Sequence, residues 1–178
     1  AIQGSPYLPD GKFLAGATER RDILALSERF SRFATIPVSL TGVIDRDVLL
    51  DELEHHATVA LQSANIETGV RQDLDDLSAL VAPFEAHLHL DFTASGPLHK
   101  LPHYWSTADF PAKSWDGPAG IGVMAINKEH RWSNPLALSS PKRSPESFSL
   151  PLVLAAAASL TGWLKDSVTE NERIHDLI

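Results

Sequence analysis

The run Leu150 to Leu164, LPLVLAAAASLTGWL, constrains this chain most, because it is apolar nearly all the way round a helical wheel. A helix with no polar side must be covered on every side. The run is therefore expected at the centre of the fold, with the other helices packed around it. Ser149 can cap it, and Pro151 stands near its start, where a missing backbone donor does no harm. The four alanines Ala155 to Ala158 leave room for another helix to approach closely. At about fifteen residues, interrupted by Ser159, Thr161 and Gly162, the run is too short for a bilayer that needs roughly twenty. Thr169 and Glu172 have capping-box spacing and can open a terminal segment through Ile174 and Leu177.

Three further helices are predicted from periodicity. Thr18 caps the first, where Ile23, Leu26, Phe30 and Phe33 recur at helical spacing over 18–34 until Pro37 forbids its continuation. Asp45 caps the second, over 46–62, with Val48, Leu49, Leu53, Ala57, Ala60 and Leu61 as its stripe. Glu52 and His56 lie one turn apart on it, a spacing found at metal sites, but a single pair on a charged face reads as solvated surface. The third runs over 72–82 on Leu74, Leu77 and Val81. Beyond it Pro83 leaves two readings. A kinked helix would set His87 and His89 on opposite sides. A strand over 87–93 would alternate Leu88, Leu90 and Phe92 with His87, His89 and Asp91, and put both histidines on one face. A second short strand is expected at 119–127, AGIGVMAIN, with Gly120 and Gly122 suggesting a bulge.

The fold class that follows is mainly α (α+β): a single domain of four to five packed helices, a small two-stranded β element and a long Pro- and aromatic-rich loop. Residues 1–17, with Pro6, Pro9 and Asp10-Gly11, read as an irregular arm before a globular domain at 18–178. A chain of 178 residues can bury such a core. Its net charge of −8 and scattered basic residues argue against nucleic acid as the main partner. No cysteine is present, which removes thiolate metal sites and a thiol nucleophile. A first residue other than Met gives a slight lean to a periplasmic or secreted protein.

Function is sought in His87 to Trp132, which holds five of the eight histidines and three of the four tryptophans. Imidazoles and aromatic faces serve metals, polar ligands and proton transfers. One reading makes His87, His89 and His130 the ligands of a divalent metal such as zinc, with His99 or His103 as the alternative third ligand and Asp91 or Glu129 in support. A metal-free version makes His103, His130, Glu129 and Asp109 the acid and base groups, with Tyr104, Trp105, Phe110, Trp115 and Trp132 holding the substrate. Either predicts a lyase or hydrolase acting on a small molecule. The alternative is a non-catalytic binding, sensor or accessory subunit, docked on a larger protein through the aromatic loop and late helix, or a homo-oligomer. Neither a G-x-S-x-G elbow nor a glycine-rich phosphate loop occurs.

Overall fold

The computed structural model describes residues 1–8, 10–98, 100–127, 132–135 and 149–175. Its frame is one six-stranded sheet: β1 (Phe13–Gly16), β2 (Phe33–Ile36), β3 (Thr58–Gln62), β4 (His87–Asp91), β5 (Thr107–Pro111) and β6 (Gly122–Ile126). The spatial order is β2-β1-β3-β4-β5-β6. The first five strands run parallel, and β6 returns antiparallel along β5. Helices α1 (Arg21–Leu24), α2 (Arg46–Glu52), α3 (Leu74–Val81) and α4 (Leu150–His175) complete the α/β fold. The expectation of a mainly helical domain is therefore overturned.

Burial on both faces explains the difference. A strand inside a parallel sheet is covered above and below, so its sequence is apolar without a clear period of two. All five residues of β3 are buried, and they had extended the stripe of a helix predicted over 46–62. That helix stops at Glu52, after which Leu53 is extended and His56 adopts a left-handed φ of 62°. The helix predicted over 18–34 breaks in the same way. It yields only α1 and a 3₁₀ turn, and the last residue of its apolar stripe, Phe33, opens β2. Phe30 and Phe33 still reach the core, each meeting Phe13 edge-on. Phe13 to Gly16, read as part of an irregular arm, is a fully buried strand inside the sheet, in register with β2 and β3.

The pleat separates two cores. Leu14, Val59, Leu61, Leu88 and Leu90 pack with Leu49, Leu74, Leu77 and Val81 from α2 and α3. Phe13, Ala15 and Ala60 pack on the other face with Ile2 and Ile23. Because neighbours in a strand alternate, His87, His89 and Asp91 belong to this second face.

The long apolar helix is not central. In α4, Leu150, Leu154, Leu164 and Val168 are exposed, while Ala156 is buried. It attaches beside β5, where Trp115 Nε1 donates to Ala156 O at 3.1 Å and Ser159 Oγ donates to Trp115 O at 2.9 Å. The sheet fills the place that an apolar helix was expected to occupy. No helix among the described residues is long and apolar enough to cross a membrane.

Candidate active site

From β1 the chain goes out to β2 on one side and then crosses back to β3 on the other, so the strand order reverses at β1. In open α/β sheets such a switch point leaves a crevice beyond the carboxyl ends of the strands. A cavity of about 730 Å³ lies there, lined by Arg20, Asp22 and Ile23 after β1, His89 and Asp91 of β4, Asp109 and Phe110 of β5, and Lys113 of the 3₁₀ turn Ala112–Trp115.

Asp91 is the last residue of β4, and its side chain is only 2% exposed. Its Oδ1 accepts from the Thr93 backbone N–H at 2.7 Å. Its Oδ2 lies 3.2 Å from Arg20 Nε, at ion-pair distance but without hydrogen-bond alignment, so this buried oxygen has no hydrogen bond. Arg20 is held elsewhere: Nη1 donates to Thr93 Oγ1 at 2.8 Å, and Nη2 and Nε donate to the two Asp22 oxygens at 2.7 and 3.2 Å. Burial works against the guanidinium charge, but Asp91 and Asp22 outweigh it and shift its pKa upward.

Asp109 is the register partner of Asp91 on the neighbouring strand. His89 Nε2 stands 2.8 Å from its Oδ1, again off the line of a hydrogen bond. Burial alone would push this carboxyl up, yet His89 and Arg20 prevail and hold it below the usual aspartate value. Behind His89, its Nδ1 is 3.0 Å from Thr107 Oγ1, and His87 Nε2 meets the same hydroxyl at 3.2 Å. Beside this group Glu19 Oε1 accepts from Gln62 N–H at 2.6 Å, while Oε2 is buried without a partner. Burial, against the pull of the Gln62 N–H, raises this carboxyl to about 8.

The cavity brings together only part of what sequence predicts. His89, Asp109 and Phe110 line it. His87 lies behind them, turned to Thr107. Two imidazoles sharing one hydroxyl are not arranged as ligands of one ion, and among the described residues no cluster could hold a metal, so the zinc site is withdrawn. His103 is exposed in the loop before β5. Tyr104 donates to Ala86 O and packs on the main core with Trp105, and neither lines the cavity. Trp115 is buried under α4, and Trp132 Nε1 donates to Ala1 O at 2.9 Å. His99, Glu129 and His130 fall outside the described residues. Arg20, Asp22, Glu19 and Lys113 were missed as site residues. Reading FLAG as a buried strand would have been the signal, since charged residues just past a strand's carboxyl end are where such folds place function.

The sheet order belongs to an α/β fold shared with solved NifS-like and aminotransferase structures. A NifS-like protein superposes with a TM-score of 0.77 at 19% identity, over 88% of this chain and 46% of its own. The cysteine desulfurase CsdA of Escherichia coli gives 0.72 at 18%, over 89% and 46%, and pyridoxamine-pyruvate aminotransferase of Mesorhizobium loti gives 0.74 at 17%, over 93% and 49%. The chain thus spans just under half the length of these structures. No family model and no curated protein matches it. The neighbours' names are those of desulfurases and aminotransferases, not hydrolases or zinc enzymes, and nothing in fold or site supports the expected helical, metal-binding or exported protein.

Proposed function

We propose that this chain forms the cofactor-holding sheet of a small-molecule enzyme that uses pyridoxal phosphate. One solved neighbour, pyridoxamine-pyruvate aminotransferase, carries a compound of the same ring in its name. The single observation that carries the reading is Asp91: a buried carboxylate at the end of a central strand, facing a cavity, with one oxygen lacking a hydrogen bond. A protonated pyridine nitrogen is the partner such an oxygen lacks, and an aspartate against that nitrogen is how these cofactors are tuned. Lys113 lines the same cavity, and its amine is the group that would hold the cofactor there covalently. Ile23, Leu26 and Phe110 offer apolar walls for the ring, and Arg20 is the guanidinium in the cavity suited to the phosphate. When bound, the group acts as an electron sink for bonds at the substrate carbon. The chain's own residues would then have plain tasks: Asp91 would offer its unbonded oxygen to the cofactor, Asp22 would hold the Arg20 guanidinium in place, and the His89–Asp109 pair would be available to hold or move a proton at the cavity wall.

Incubation with pyridoxal phosphate, borohydride reduction and peptide mass spectrometry tests this. The expected result is a phosphopyridoxyl mass on Lys113, with binding weakened at least about tenfold, about 1.4 kcal/mol, in Asp91→Ala. Absence of the label on Lys113, or binding indifferent to Asp91, overturns the proposal. The second reading, a non-catalytic subunit, is favoured by the exposed Leu150, Leu154, Leu164 and Val168 of α4. Sedimentation that shows a stable heteromeric complex, together with no label, would select it.

A further inference from the structure

Two ring nitrogens converge on one hydroxyl behind the cavity, and a hydroxyl has only one proton to give. Thr107 Oγ1 lies 3.0 Å from His89 Nδ1 and 3.2 Å from His87 Nε2, and all three side chains are buried. The geometry points to Thr107 as the positioning residue that orients the His89 ring with its Nε2 proton toward Asp109, linking the cavity to His87 behind it.

The assignment follows from counting protons and lone pairs. His89 Nε2 stands 2.8 Å from Asp109 Oδ1. A bare nitrogen lone pair at that distance from a carboxylate would be repelled, so Nε2 carries the hydrogen even though its N–H is not well aimed. A neutral ring then has its lone pair at Nδ1, and Thr107 must donate to it. The Thr107 oxygen is left to accept, and His87 Nε2 must supply the proton. Each nitrogen thus has one role, set by the contact of the other.

The same count links His87 to events at the cavity. A second proton on His89 goes to Nδ1, which becomes a donor. Thr107 must then turn its hydroxyl to His87, whose Nε2 must be bare, with its proton on Nδ1. No bond other than N–H and O–H is made or broken, and the charge stays on His89. The titratable and charged groups around His89 include Asp91 from its own strand and Asp109 from β5, Glu19, Arg20 and Asp22 from the segment after β1, and Lys113 from the turn after β5.

Imidazole ¹⁵N NMR of the full chain, with no cofactor added, tests the inference independently of pyridoxal phosphate labelling. With both rings neutral, both are expected as Nε2–H tautomers, with hydrogen-bond shifts at His89 Nδ1 and His87 Nε2. Thr107→Val should remove both of those shifts, and Thr107→Ser should restore them. A wild-type neutral His87 found as the Nδ1–H tautomer, a neutral His89 found as the Nδ1–H tautomer, or shifts that survive unchanged in Thr107→Val overturns it. Should the valine variant fail to fold, the wild-type tautomers and the serine variant still decide the matter. Failure here leaves the Lys113 label untouched, and failure of the label leaves this arrangement untouched.

Discussion

Glu19 leaves β1 with one carboxyl oxygen on the Gln62 N–H and the other buried without a partner. Its value of about 8, against an ordinary 4.5, means that the folded chain holds this proton more tightly than the unfolded chain does. The stability from this group is therefore complete below about pH 4.5, declines as the pH rises, and is gone above about 8. Glu19→Gln keeps an acceptor for Gln62 and has nothing to ionise. It should match the wild type in urea melts at pH 4.5 and exceed it at pH 9 by an amount on the order of a few kcal/mol. Equal stability of the two at pH 9 would contradict the burial argument. Glu85 raises a different issue, since it is exposed and caps the 3₁₀ turn Ala82–Phe84 with a φ of 51°. Side chains other than glycine are strained there, so Glu85→Gly should stabilise the chain by about 1 kcal/mol, read as a higher thermal midpoint.

Elements formed where their periodicity was independent of the rest of the fold. Helix α3 spans Leu74–Val81, close to its expected 72–82, because Leu77 and Val81 lie on one side and Asp73 caps it through the Asp76 N–H. Strand β4 forms at His87–Asp91, inside the predicted 87–93, and β6 at Gly122–Ile126, inside 119–127. Strand β3 was not legible, since Thr58 to Gln62 is covered on both faces and a helix fits its residues as well as a strand does. Its role is testable: Leu61→Ala, at 1% exposure in the main core, should cost about 2 to 5 kcal/mol in chemical denaturation. A loss below 1 kcal/mol would mean that β3 is not central. Gly122→Ala should loosen the β5–β6 pairing, because its added carbon would fall 2.8 Å from Phe110 O. The expected sign is faster amide exchange along β6 with α3 unchanged.

For the whole molecule, the placement of α4 is the largest departure from expectation. It rests on the sheet through Trp115, Ala156, Leu160 and Trp163, and several apolar side chains remain outside. Trp115→Ala removes the anchor that donates to Ala156 O. It should make residues 150–175 sensitive to protease while the sheet keeps its ellipticity. Protection equal to that of the wild type would place the anchor elsewhere. By itself the sequence determined helix α3 and the short strand β6, and it left β4 between a strand and a kinked helix, because those features depend on local periodicity and residue type. Only the tertiary structure decided that a parallel sheet, not a helix, fills the centre, since double burial erases the period that tells strand from helix. It also decided the site. Arg20 and Asp91 are 71 positions apart, and they meet only because the chain leaves β1 at the switch point of the sheet.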